Sequence, residues 1–327
     1  VQACVDTRGR QSLGEKGLPE VQVGRPDRIR PGDTVGVVAP AGVVDGERLG
    51  RGVRVLEDWG LRVVTGEAVL QRHGYLAGTD EARRNDIQRM LADPAVRALI
   101  AARGGFGCQR LVPHLDLSVL RDRPKPLVGF SDVTALLMAW VEAGTLAIHG
   151  PMVAADLAAG LSATSLEHLW RLLSDPTYCW EVAVPVTVRP GRATGRLLGG
   201  CLSVLATLLG TPWAPPTRGA VLFLEDVNEW PYRVDRLLTQ LRQAGMLGGL
   251  AGLVLGSMEG CPEQEGIGVL DVVREAFADA PFPVGFGVPA GHRTAETDIE
   301  HVALPLGVPV ELDTERGVLR ALASAVL

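Results

Sequence analysis

Residues 96–107 read VRALIAARGGFG, an apolar run of strand length that breaks directly into a glycine cluster. An apolar strand followed at once by a tight turn is the pattern of a buried parallel sheet, whose strands are covered on both faces. The same texture recurs on both sides. Upstream, Thr34–Ala39 (TVGVVA) reads as a strand, Asp45–Trp59 as a helix and Leu61–Thr65 (LRVVT) as a strand. Thr79 and Asp80 then offer an N-cap for a helix through Met90 and Leu91, which Pro94 stops. Downstream, Leu127–Phe130 (LVGF) is a strand, and a helix follows from Asp132 to about Ala143. Strands alternating with helices predict an α/β fold with a parallel sheet and crossover connections.

A chain of 327 residues suits two domains of ~100–200 residues each. Residues 1–30 lack periodicity and read as a flexible leader. The texture changes between Pro185 and Gly200, where Pro190, Gly191, Gly195 and Gly199 crowd together. This places a first domain over 31–175, a linker over 176–195 and a second domain over 196–327. The second half is expected to hold strands at Ala220–Leu224 and Leu250–Leu255, with helices at Arg233–Ala244 and near Val269–Phe277. Short strands at Val302–Leu306 and Val308–Leu312 end it.

Composition narrows the function. Hydrophobic residues make up 46% and charged residues 21%, enough to bury a sizeable core. Net charge is −6 and Lys16 and Lys125 are the only lysines; an acidic chain without basic runs repels phosphate backbones, so no nucleic-acid partner is expected. No apolar run reaches the ~18 residues of a membrane span. The polar stretch Val1–Gly24 lacks the apolar core of a signal peptide, and a cytoplasmic protein is expected. The five cysteines are scattered without a C-x-x-C pair, which reads as free thiols in a reducing compartment. No metal-ligand spacing such as H-E-x-x-H occurs, so neither a metal nor a cofactor is expected.

In open α/β sheets, ligands bind at the carboxyl ends of the strands, and three unusual clusters fall there. In Gly129-Phe130-Ser131-Asp132 a strand meets a helix. Ser131 is either a nucleophile presented on a tight turn or a simple helix cap; Val133 rules out G-x-S-x-G. Arg103-Gly104-Gly105-Phe106-Gly107 is either a backbone nest for an anion or a tight βα turn. Its spacing fits neither G-x-G-x-x-G nor a phosphate-binding loop. Glu225, in Leu224-Glu225-Asp226, is either a functional acid or a solvated strand end. Away from these, His292 in Ala290-Gly291-His292 is either a base held on a loop or a surface histidine. His149 is a candidate supporting partner. His168 reads as exposed on a helix, and His73, His114 and His301 have no motif around them.

Taken in order, these fragments resemble the LD-carboxypeptidase family, including its members that confer immunity to microcin C. The resemblance runs from Pro31-Gly32-Asp33 and Val38-Ala39-Pro40-Ala41 through the 103–107 and 129–134 clusters to His149-Gly150-Pro151-Met152. It continues with Gly199-Gly200, Gly210-Thr211, Leu224-Glu225-Asp226-Val227 and Tyr232-Arg233-Val234-Asp235-Arg236, and closes with Gly291-His292. It implies a flavodoxin- or Rossmann-like first domain, a mixed α/β second domain and an active site in the groove between them. Ser131, Glu225 and His292 would then be the catalytic residues of a serine peptidase, and the backbone N–H groups of Gly105 and Asp132 its oxyanion hole. Arg103, Gly104 and Phe106 become expected substrate contacts. The substrate implied is a murein tetrapeptide losing its terminal D-alanine, and the protein a homodimer. Phe106 and Phe130 stand where the family commonly has tyrosine, and Cys201 where asparagine is frequent. The short segment between Pro151 and Gly195 favours the peptidoglycan-recycling branch. Hydrolysis of an aminoacyl or sulfamoyl adenylate is the alternative on the same scaffold. A two-domain ligand-binding protein without chemistry is the more remote one.

Overall fold

Five parallel strands build most of the first sheet: β1 (Thr34–Val38), β2 (Arg62–Thr65), β3 (Val96–Ala101), β4 (Leu127–Gly129) and β5 (Ala147–His149). They belong to a computed structural model that describes residues 23–293 and 299–327. β1 and β3 are buried almost throughout, which is why their sequences show no polar alternation. The helices between them start where the caps allow. The Asp45 side chain accepts from Arg48 N ahead of the helix Gly46–Asp58, and Thr79 from Ala82 N ahead of Asp80–Ala92. The second of these ends two residues before Pro94, as expected.

The second sheet has eight strands: β6 (Glu181–Ala183), β7 (Val186–Arg189), β8 (Arg192–Cys201), β9 (Val221–Val227), β10 (Gly252–Glu259), β11 (Val284–Phe286), β13 (Pro309–Asp313) and β14 (Val318–Ala321). Their order is β6-β14-β13-β8-β9-β10-β11-β7. The run β8-β9-β10-β11 is parallel and its flanks are antiparallel. The mixed α/β character expected of the second half is thus observed.

Three sequence expectations need correction. The stretch 176–195 is no linker, because β6 and β7 pair with β14 and β11 at opposite edges of the second sheet. Its prolines and Gly191 mark turns between short edge strands, where a missing N–H is tolerated. The strand expected at Val302–Leu306, β12 (Leu304–Leu306), leaves the second half of the fold. It pairs antiparallel with β5 at the edge of the first sheet, Leu304 opposite His149. Finally, the last part of the expected leader is tied down. Gly24 N donates to Gly144 O, and buried Ile29 donates its N–H to Leu173 O. Residues 1–22 lie outside the described residues.

Among the described residues no helix is long and apolar enough to cross a membrane. Cys108 and Cys201 are buried free thiols and Cys261 a half-buried one. Cys179 is disulfide-bonded, which corrects the reading of five free thiols at that position; Cys4 lies outside the described residues.

The two sheets meet at the start of the helix Thr134–Glu142. Cys201 N, at the end of β8, donates to Thr134 Oγ1 at 3.1 Å. A side chain on Gly200 would place its Cβ 2.6 Å from that same oxygen, and Gly200 sits at φ 143°, where L-residues are strained. We expect Gly200→Ala to lower stability by about 1–3 kcal/mol through this clash. Urea denaturation measures it, and an unchanged midpoint would show that the two sheets do not meet here as described.

Candidate active site

Ser131 follows β4 on a turn that few residues adopt. Its φ is 62°, the left-handed region disfavoured for anything but glycine. Such strain persists only when the surroundings hold it. Two contacts do so. Gly104 packs against it so closely that a Cβ there would lie 2.8 Å from Ser131 Cβ and 3.0 Å from its Oγ. The buried Asp132 carboxylate accepts from Cys108 N at 2.8 Å, which ties this turn to the end of the glycine cluster. Burial pushes the Asp132 carboxyl upward, against that hydrogen bond. The cap alternative for Ser131 fails: no side-chain cap is made at the start of either the 3₁₀ turn Ser131–Val133 or the helix Thr134–Glu142.

Its hydroxyl turns instead to His292, with Oγ 3.0 Å from Nε2. His292 Nδ1 lies 2.8 Å from Glu225 Oε2, and His292 N donates to that oxygen at 3.0 Å. Glu225 sits in β9 with a fully buried side chain. It is therefore not the solvated strand end that its neighbour Asp226 suggested. Gly291, at φ 111°, is required by this approach, since a Cβ would fall 2.4 Å from Glu225 Oε2. From β10, the Ser257 hydroxyl stands 3.0 Å from Ala290 O and 2.9 Å from His292 O, holding the loop from behind. Nothing in the sequence around Ser257 marks it.

Hydrogen bonding fixes the protons. Burial alone would raise the Glu225 carboxyl, but hydrogen bonds from His149 and His292 outweigh it and keep the group well below the usual carboxylate range. Burial works to lower His292, and the Glu225 hydrogen bond and charge overcome it, so His292 is raised. An ionised Glu225 claims the Nδ1 proton of His292, which leaves the Nε2 lone pair of the neutral ring facing the Ser131 hydroxyl. His149, the expected supporting partner, reaches the other carboxylate oxygen, Nε2 to Oε1, at 3.5 Å. Burial dominates there and lowers its pKa, so it stays neutral.

Two more histidines depart from the sequence reading. His168 is buried rather than exposed, Nε2 2.7 Å from Ala303 O and Nδ1 2.9 Å from the Tyr178 hydroxyl. Its helix packs on the strand segment leading into β12, a contact that helical periodicity cannot show. His301, without any motif, is buried near the site. Its Nδ1 lies 3.4 Å from Asp156 Oδ1, and its ring meets Phe130 edge-on at 4.8 Å. Phe130 also meets His292 edge-on at 4.9 Å.

Ser131 and His292 open on a cavity of about 440 Å³ whose wall includes Gly104, Gly105, Phe130 and three arginines, Arg48, Arg103 and Arg293. Asp45 and Asp156 line it as well. Arg103 and Gly104 thus reach the cavity, whereas the exposed Phe106 ring lies beside Tyr75, centroids 6.0 Å apart. A hydroxyl, imidazole and buried carboxylate in this order can move a proton off the hydroxyl without leaving an unpaired charge.

The raised His292 has a titration consequence. A folded pKa above the unfolded value near 6.5 means that its protonation favours the fold fully below about pH 6.5. That contribution is lost as pH rises through the higher folded pKa. In NMR titration we expect the His292 imidazole to titrate above 6.5, and Glu225→Gln to bring it down. A His292 shift unaffected by that change would place its cause elsewhere.

Comparison with known proteins identifies the family. Residues 35–150 match the LD-carboxypeptidase N-terminal domain and residues 194–312 the LD-carboxypeptidase C-terminal domain. A putative carboxypeptidase of Streptomyces coelicolor is 44% identical, over 90% of this chain and 95% of that protein. The murein tetrapeptide carboxypeptidase of Pseudomonas aeruginosa is 36% identical, over 86% and 94%. A crystal structure of muramoyltetrapeptide carboxypeptidase from Oxalobacter formigenes superposes with a TM-score of 0.79 at 32% identity, over 88% of this chain and 97% of that one. Both halves of the chain are matched, and it is accordingly a peptidase that belongs to the LD-carboxypeptidase family.

Proposed function

We propose that the protein is a serine LD-carboxypeptidase that releases the terminal D-alanine of murein tetrapeptide in peptidoglycan recycling, with Ser131, His292 and Glu225 as its catalytic triad. The unbroken hydrogen-bonded chain from Ser131 Oγ through His292 to Glu225, opening on the cavity, carries this reading. The names of the Pseudomonas and Oxalobacter relatives support the substrate.

In this mechanism His292 Nε2 takes the Ser131 proton as Oγ attacks the carbonyl of the scissile amide. Charge develops on the carbonyl oxygen, and the N–H groups of Gly105 and Asp132 receive it. Gly105 on the cavity wall and Asp132 directly after Ser131 suit that role. Glu225 holds the ring in its tautomer and stabilises the imidazolium. Collapse breaks the C–N bond, and His292 returns its proton to the leaving amine of D-alanine. Water, deprotonated by the same ring, then cleaves the acyl-serine. The strained φ of Ser131 serves this chemistry by keeping Oγ clear of the helix it precedes. Arg103 and Gly104 contact the substrate. The nucleophile stands on the lobe of the first sheet, and the other two residues on the lobe of the second, which takes in 176–195 and, β12 apart, 196–327. The resemblance supports a homodimer, and the absence of a signal-like apolar run and of metal-ligand spacing in the sequence supports a cytoplasmic enzyme working without metal or cofactor.

The test is D-alanine release from murein tetrapeptide. Ser131→Ala should lower kcat by on the order of a thousandfold or more while the melting temperature stays near that of wild type. A fluorophosphonate should label wild type and not the variant. Retention of more than about a tenth of kcat would overturn the triad. Turnover of an aminoacyl-sulfamoyl adenosine with none of the tetrapeptide would overturn the substrate.

A further inference from the structure

The three arginines of the cavity differ in how their donors are used. Arg48 places Nε 2.8 Å from Ala154 O and Nη2 3.1 Å from Ala155 O. Arg103 places Nε 3.3 Å from Gly104 O and Nη1 3.0 Å from Val43 O. Both are held to the wall by backbone carbonyls. Arg293 is different. Its Nε is buried without a hydrogen-bond partner, and Nη1 stands 4.0 Å from Glu259 Oε2, an ion pair beyond hydrogen-bond length. Arg83 and Arg320 also bury an unpartnered Nε, but a carboxylate holds an Nη atom of each, from Asp80 and Glu311, and neither lines the cavity.

A buried N–H without a partner costs free energy that a ligand acceptor would recover. Arg293 directly follows His292 and shares the cavity wall with Ser131, so the acceptor would arrive with the substrate. The cavity's own acids are already engaged. Asp156 accepts from Met152 N and pairs with His301, while Asp45 caps Arg48 N. A guanidinium presenting adjacent N–H groups matches the two oxygens of a carboxylate.

We propose that Arg293 binds a carboxylate of the substrate and thereby selects peptides that carry one beside the scissile bond. This rests on the carboxypeptidase reading above. In a murein tetrapeptide that group is either the terminal carboxylate of the leaving D-alanine or a side-chain carboxylate on the diamino acid before it. Arg293 makes no bond to the reacting atoms; it sets which peptides lie correctly against Ser131.

The experiment compares wild type with Arg293→Met on two pairs of tetrapeptides. One pair ends in a free acid or an amide, and the other carries diaminopimelate or lysine at the third position. Wild type should prefer the acid member of one pair by about 10–100-fold in kcat/KM, the range of a hydrogen bond to a charged group. That pair identifies the carboxylate. In Arg293→Met the preference should shrink to within about threefold, with an unchanged melting temperature. The same peptides are titrated against Ser131→Ala and Ser131→Ala/Arg293→Met by calorimetry, which needs no turnover. Acid-dependent binding without hydrolysis would sink the peptidase mechanism and leave the Arg293 assignment standing. An equal preference in both proteins, or none in either measurement, overturns it.

Discussion

A carboxylate removed from water costs several kcal/mol unless donors replace its hydration. Glu225 is such a group, and much of the site's arrangement follows from satisfying it. One oxygen takes the backbone and ring N–H of His292; the other faces His149. The donors come from two places, β5 on the first sheet and the loop after β11, and converge on an acceptor held by β9 of the second sheet. Each donor constrains its own segment. The double contact to His292 orients ring and backbone together, which a side-chain bond alone would not do. Across β8, Cys201 stands opposite Glu225 in register. Burial, with the negative charge of Glu225 next in weight, raises its thiol well above the ordinary range. It is therefore a neutral neighbour to the carboxylate and brings no second charge.

The first lobe meets this arrangement with a backbone under strain. The left-handed Ser131 is held by Gly104 on one side and, through Asp132, by Cys108 on the other. These contacts favour the tight-turn reading of the glycine cluster. Residues 103–107 are a tight turn, and the turn is tight because a serine has to be approached closely. Phe130, where a tyrosine was expected from the resemblance, packs its ring against His292 and His301 and adds no hydroxyl to the site.

The legible part of the molecule was its local part. Apolar runs, the cap at Thr79 and the stop at Pro94 are recorded within a few residues of where they act, and the elements form there. Ser131, Glu225 and His292 were each ambiguous alone, because a cap, a solvated acid and a surface histidine share their local signatures. Only their order along the chain, matched to a family, joined them. Contacts between distant segments left no such trace. Ser257 looks like any strand serine, His301 like any loop histidine, and His168 like a helix's outer face until the neighbouring segment covers it. The prolines of 176–195 misled for the same reason, since edge strands and linkers use similar residues and differ only in what pairs with them.

β12 has a mechanical consequence. The chain leaves the first sheet after β5, builds β6 to β11, returns for three residues at β12, and goes back for β13 and β14. The loop bearing His292 is therefore anchored at both ends, in different sheets. Because β12 pairs with β5 and moves with it, a swing of one sheet against the other would have to flex three crossings of the chain at once, the shortest being the two residues between Leu306 and Pro309. Relative motion of the two sheets is thus restrained at three crossings rather than at one hinge, which favours small displacements over a wide swing. Such a connection favours a cavity whose Ser131–His292 spacing is set before a ligand arrives.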